Sequence, residues 1–152
     1  SLAFFGGAKE IPRFSLLQSP IAIRNMQNTG ILQDSLGVCR FTGYAFSADP
    51  WARMLGGVTG RDFSVARLEE VENRVATLER MFNLEAGTTA EDDALPARFA
   101  DAPVVVDGRE RRVSREDQER MRGDYYRVRG WDAAGRPKPE LVRALGIARR
   151  GR

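Results

Sequence analysis

"SVARLEEVENRVATLERMFNLE", residues 64–85, decides the fold. Apolar side chains recur at Leu68, Val71, Val75, Leu78 and Phe82, three and four apart, with Glu69, Glu70, Glu72, Arg74 and Arg80 between them. A 3.6-residue period lays those five on one stripe, so the spacing predicts an amphipathic helix of about five turns, beginning at Ser64, with the stripe packed on a core.

Helical punctuation continues on both sides. Ser19-Pro20 reads as an N-cap and first helical residue, opening "IAIRNMQNTGILQDSL", which ends at Gly37, a natural left-handed residue. Gly30 inside that segment marks either a kink or a close contact with the helix. Asp49-Pro50 repeats the start signal for "WARML", expected to stop at Gly56-Gly57. Beyond the central helix, "NLEAGTTAEDDALPARF" reads as loop with short helical turns. "APVVVDGRERRV" suits a brief strand and turn, Asp107-Gly108 being the turn signal. Ser114 and Asp117 open another helix in the manner of a capping box, with Met121, Tyr125 and Val128 on one face and Gly130 at its end. A last short helix is expected from Pro139 to Leu145, closed by Gly146. There are no internal repeats and no clear linker, and strand signals are too few to build a sheet. The expected fold is a single all-α domain over 1–152, an irregular multihelical array with at most a short hairpin near 104–113.

A chain of 152 residues, 42% apolar and 30% charged, is long enough for a real core and has neither the composition of a disordered segment nor that of a rod. One cysteine excludes an intrachain disulfide and points to a reducing cytoplasm. No apolar run reaches the roughly 18 residues of a membrane span, and "SLAFFGG" lacks the basic and apolar regions of a signal peptide, so no membrane is expected as partner. The chain opens on Ser1 rather than Met, which suits a trimmed product or a piece of a longer polypeptide. The net charge is +3, carried almost wholly by arginine, with clusters in "GRERRVSR" (108–115) and "IARRGR" at the end. A nucleic-acid patch there would want interleaved aromatic residues, which are missing, so a solvated loop and a frayed tail are the better reading.

With no histidine, a Ser/His/Asp or Cys/His nucleophilic arrangement cannot be completed from this chain, nor a histidine-based zinc site. Neither GxGxxG nor GxxxxGK[ST] occurs. The acidic run Glu91-Asp92-Asp93 lacks the alternating spacing of a calcium loop and suits a solvated loop or a helix N-terminus better than a metal site. Tyr125, Tyr126 and Trp131 either line a pocket or pack against the C-terminal segment, the second being the more ordinary use. "DSLGVCRFTG" (34–43) holds the lone cysteine. Cys39 is either a small buried hydrophobe or a ligand. If the helix ends near Asp34, Gly37 lets the chain reverse and bring Cys39 back toward the carboxylate, which can accept paired N–H donors from a flat heterocycle. A thiolate nearby suits an iron–sulfur cluster, which takes four such ligands where this chain has one.

Those residues resemble the C-terminal part of the aldehyde:ferredoxin oxidoreductase family, the tungsten-pterin enzymes. The resemblance rests on four blocks in order, "DSLGVCRFT" (34–42), "VTGRDFSVARLEEVENRVATLERMFNLEAG" (58–87), "DDALPARF" (92–99) and "DYYRVRGWDAAGRPKPELVRALGI" (124–147), and residues 1–33 match only loosely. In that family an Asp-x-x-Gly-Leu-Cys sequence serves the active centre. Carried over position by position, the resemblance implies that Asp34 binds the pterin, that Val38 and Arg40 contact it, and that Cys39 ligates a 4Fe-4S cluster. Val38 stands in place of the more usual leucine, a change that preserves a backbone contact. The implied cofactors are a tungsten-bis-pterin, with molybdenum as an alternative metal, and the 4Fe-4S cluster, both completed by residues outside this chain. The family's Cys-x-x-Cys-x-x-x-Cys sequence, its N-terminal pterin-binding domain, a second Asp-x-x-Gly sequence and its acid/base candidates have no counterpart here. The chain is therefore expected to be one domain of a larger enzyme that interconverts aldehyde and carboxylate and passes electrons to ferredoxin or a similar carrier, inactive by itself. Its partners would be the upstream domains or subunit, that carrier and an aldehyde. A non-catalytic interaction module derived from the same domain is the rival reading, and the joint presence of Asp34 and Cys39 argues against it. An arginine-based nucleic-acid binder is a third.

Overall fold

The computed structural model describes residues 19–44 and 46–147, so the arginines of 149–152 and the loosely matching stretch before Ser19 lie outside the described residues. The chain runs α1 (Ser19–Leu36), a 3-10 helical turn (Arg40–Tyr44), α2 (Ala48–Thr59), α3 (Val65–Glu85), α4 (Arg98–Asp101), β1 (Val104–Val106), β2 (Arg109–Arg111), α5 (Arg115–Arg129) and α6 (Pro139–Ala144). It is the all-α array expected, with one short hairpin. α3 packs on α1 and α2, and α1 packs on α5 as well, so α1 is the shared neighbour of the longest helices.

α1 stops where glycine permits it. Gly37 has φ 65°, its N–H donates to the Asp34 carbonyl at 3.2 Å, and the Val38 N–H donates to the Gln33 carbonyl at 3.1 Å. This pair of bonds satisfies two carbonyls the helix end would otherwise orphan. The Val38 and Leu36 side chains then pack against the core cluster of Leu32, Trp51, Ala52 and Leu68.

α2 departs from expectation by running through Gly56 and Gly57 and closing only at Gly60, φ 66°. Burial of Trp51 and Ala52, with Leu55 packed beside them, offsets a propensity cost of about 1 kcal/mol per interior glycine. A Cβ at Gly56 would lie 3.2 Å from the Arg61 carbonyl, so that glycine also permits the returning chain to pass close by.

α3 begins as expected, the Ser64 hydroxyl accepting the Arg67 N–H at 3.2 Å. Its buried face is not the expected stripe. Only Leu68 of that stripe is buried; Val71 and Val75 are half-buried, and Leu78 and Phe82 are 45% and 71% exposed. The inner row is Leu68, Glu72, Ala76 and Arg80, four residues apart, with Thr77 beside it. Small Ala76 suits close packing; the Thr77 hydroxyl donates to the Asn73 carbonyl within α3 at 2.7 Å, while Arg80 finds partners on other elements.

Arg80 is the clearest case, being only 6% exposed. Its Nε donates to the Gly135 carbonyl at 2.8 Å, Nη1 and Nη2 donate to the Asp93 carboxylate at 3.1 and 2.6 Å, and its guanidinium lies 5.0 Å from the Trp131 ring centroid. The Tyr126 hydroxyl donates to the same carboxylate. Burial, followed by that bond and the Asp93 charge, pushes the hydroxyl up to about 12, so it remains a donor at ordinary pH. Of the acidic run, then, Asp93 is an ion-pair partner, while Asp92 accepts the Thr89 N–H at 2.7 Å in a local turn. The aromatic trio is packing: Trp131 sits 5.7 and 5.8 Å from Tyr125 and Tyr126.

The hairpin pairs Val104 with Arg111 and Val106 with Arg109 through Asp107 (φ 51°) and Gly108 (φ 69°), the geometry that tight hairpins favour. At the start of α5 the Ser114 hydroxyl accepts the Asp117 N–H at 3.0 Å and donates to its carboxylate at 2.8 Å. Tyr126 and Arg129 are its buried residues; Met121, Tyr125 and Val128, the face expected, are half-buried. Gly130 and Gly146, at φ 73° and 63°, close α5 and the last helix where expected.

Candidate functional site

Asp34 lies in the last turn of α1, and Val38, Cys39 and Arg40 lie on the turn that follows it, which is fixed from beneath. Gln33, 2% exposed, donates through Nε2 to the Arg40 carbonyl at 3.0 Å. The Thr42 N–H and hydroxyl both donate to the Cys39 carbonyl, at 3.0 and 2.6 Å. Val38 anchors in the core cluster. The backbone of the segment is thereby tied to α1 on one side and to the 3-10 turn on the other.

The Asp34, Cys39 and Arg40 side chains, by contrast, are exposed. Cys39 is a free, exposed thiol, which removes the reading of a small buried hydrophobe. Arg40 turns back along α1: its Nη1 is 3.7 Å from the Asp34 carboxylate, and a Cβ at Gly30 would meet that same nitrogen at 2.7 Å. The glycine interrupting α1 is therefore the seat of a guanidinium rather than a kink. The ion pair is long, and both side chains are largely exposed, so it adds little to stability.

The arrangement offers a soft thiolate donor, a carboxylate acceptor for paired N–H groups and a guanidinium donor along one edge. Among the described residues no group of three or more His, Cys, Asp or Glu side chains could hold a metal ion. A metal bound by Cys39 must draw its other donors from elsewhere. The structure brings Asp34 and Arg40 together directly and sets Cys39 beside Arg40 in the same turn; Val38 serves the core with its side chain and donates its N–H to Gln33, which leaves its carbonyl for any contact. Sequence reasoning missed Gln33 and Thr42, which fix the turn, and nothing in their spacing signalled it. Gly30 did carry a signal, as a glycine inside a helix.

The family model described as aldehyde ferredoxin oxidoreductase, domains 2 & 3, matches residues 2–147, reaching well into the N-terminal stretch where motif resemblance was loose. A tungsten-containing aldehyde ferredoxin oxidoreductase of Thermococcus kodakarensis is 37% identical over 123 residues, covering 80% of this chain and 20% of the relative. Its namesake from Pyrococcus furiosus is 35% identical over 123 residues, with the same shares. The chain thus spans about a fifth of the length of these relatives. Among solved structures, the active site complex BamBC of benzoyl coenzyme A reductase, in complex with 1,5-dienoyl-CoA, superposes with a TM-score of 0.73. That likeness covers 93% of this chain and 21% of the other at 21% identity, and speaks for the fold alone. With a family model spanning nearly its whole length and relatives above 30% identity, the chain belongs to the aldehyde ferredoxin oxidoreductase family.

Proposed function

We propose that residues 1–152 form the C-terminal helical domain of a tungstopterin oxidoreductase that interconverts aldehydes and carboxylates, working in the cytoplasm with ferredoxin or a similar carrier. The observation that carries this reading is the turn after α1, where a free exposed thiol follows a helix-end carboxylate within a backbone pinned by Gln33 and Thr42. Such a turn positions its groups before any cofactor arrives, and so lowers the ordering cost of binding. When bound, the tungsten–pterin group supplies the two-electron oxidation of the aldehyde and the 4Fe-4S cluster carries single electrons away.

In this reading Cys39 donates one thiolate to the cluster. Asp34 accepts N–H groups of the pterin, and the Val38 backbone and Arg40 contact the same ring system. The residues fit these tasks chemically: among the described residues, one soft donor without competing ligands and one exposed carboxylate whose only charged partner is a long, easily rearranged arginine contact. None of the four acts as nucleophile or general base. No described helix is long and apolar enough to cross a membrane.

The test is Cys39→Ser in the full-length protein, followed by electron paramagnetic resonance of the reduced cluster and by iron analysis. The cluster signal should vanish or change its g-values. An unchanged spectrum with full iron content overturns the ligand assignment.

A further inference from the structure

Gln33 stands on α1 where an apolar residue would be expected. It follows Leu32 of the core cluster, precedes Leu36, which packs against that cluster, and is itself only 2% exposed. A buried glutamine gives up its hydration and more rotamer freedom than a leucine would. A hydrogen bond offsets that loss, and the direction of the bond shows what the amide serves.

Among the described residues, other buried polar side chains serve the helical core. Asn28 donates to Asn73, Arg129 donates to Asn28, the Thr77 hydroxyl returns to its own helix, and Arg80 ties α3 to Gly135 and Asp93. Gln33 instead donates through Nε2 to the Arg40 carbonyl at 3.0 Å, seven residues along and past the end of the helix. Its main-chain carbonyl meanwhile accepts the Val38 N–H at 3.1 Å. One residue thus grips the chain immediately before and immediately after Cys39. The Cys39 carbonyl is held in turn by the Thr42 N–H and hydroxyl, at 3.0 and 2.6 Å. Three successive residues are fixed through their backbones, and the sulfur keeps chiefly its own side-chain torsion to adjust. The main-chain bond is a helix cap that any residue at position 33 could make. The side-chain bond needs a donor at the end of a long side chain, which an apolar residue lacks.

We propose that Gln33 is a positioning residue for the iron–sulfur cluster: by bracketing Cys39 it holds the thiolate in place and sets how tenaciously the cluster stays bound. This rests on the assignment of Cys39 as a cluster ligand, and Gln33, being buried, acts only through the turn. Groups that orient a ligand without touching the metal change metal affinity by about 10- to 100-fold.

The full-length protein with its cluster loaded is exposed to excess ferrous chelator, and iron release is followed at a temperature where every variant is folded. Electron paramagnetic resonance of the reduced cluster supplies the line widths. Gln33→Met, which keeps the side chain's length but loses the donor, should release iron about tenfold faster and broaden the lines, because the ligand then samples several positions. Gln33→Asn keeps an amide but not its reach and should behave alike; it carries the test if Gln33→Met folds poorly. Thr77→Val removes a buried hydroxyl bond within α3 and should release iron at the parent's rate. Parent-like release and line widths in folded Gln33→Met, or in Gln33→Asn where it stands in, overturn the proposal. Equal acceleration by Thr77→Val also overturns it, by reducing the effect to loosened packing. The Cys39→Ser variant separates the two readings: an altered cluster signal there beside parent-like Gln33 variants sinks this inference alone, whereas an unchanged signal sinks both.

Discussion

Two arginine–aspartate pairs in this chain behave in opposite ways. Buried Arg80 and the partly exposed Asp93 meet at 2.6 Å, and their remaining bonding capacity is filled by Gly135, Tyr126 and the Trp131 ring. Arg40 and Asp34 meet at 3.7 Å on the surface, and among the described residues no other side chain pairs with either. The first pair is complete within the chain and joins α3, the acidic loop and the segment after α5. In the second region the backbone is fixed while the side chains are left with bonding capacity to offer, as a binding site requires. Completion of polar valences, more than burial alone, separates the pair that builds this fold from the pair proposed to bind.

The comparison is most easily broken at its buried end. Arg80→Ala leaves the partly exposed Asp93 carboxylate and the Gly135 carbonyl without their main partner, and should lower the unfolding free energy by about 2–3 kcal/mol. Arg40→Ala should change it by less than about 1 kcal/mol. Urea denaturation of the two variants measures both, and equal losses would remove the distinction.

The interior polar network should also respond to pH. The Glu72 carboxyl is raised from 4.5 to about 7, chiefly by burial and next by Glu69, with an Asn28 hydrogen bond, Arg24 and Arg129 opposing. Between those values the folded chain holds a proton that the unfolded chain has released. Stability from this group is fully present below about pH 4.5 and is lost as pH rises through 7, by at most about 3 kcal/mol. Melting curves from pH 5 to 8 should show that decline, and Glu72→Gln should flatten it.

A modest effect belongs to the end of α1. Gly37→Ala forces φ 65° on a residue with a Cβ, in open space, and should cost about 1–2 kcal/mol by urea denaturation. A cost near zero would show that the paired cap bonds of Gln33 and Asp34 do not require the left-handed residue.

Most boundaries were legible because single residues mark them. Gly37, Ser64, Asp107-Gly108, Ser114 and Gly130 each satisfy or release particular backbone groups, and that chemistry is local. What was illegible depended on partners distant in sequence. Periodicity placed Leu78 and Phe82 on an inner stripe, but the partners of Arg80 lie 13 and 55 residues further along the chain, and they turn a different face inward. The run through Gly56-Gly57 was hidden likewise, because the Trp51 contacts that sustain α2 come from α1 and α3. Asp34 and Cys39 were legible as a pair through motif resemblance; the exposure of the thiol and the Gln33 and Thr42 supports needed coordinates.

Gly30 carries a consequence for anyone engineering this scaffold. An interior helical glycine is the first position a thermostabilisation survey would convert to alanine, for a gain of about 1 kcal/mol in helix propensity. Here the added methyl would occupy space already held by Arg40. The arginine is long enough to swing aside, so the folded chain would survive and even gain in thermal tolerance while the edge beside Asp34 lost its guanidinium. Selection on melting temperature alone would reward that loss.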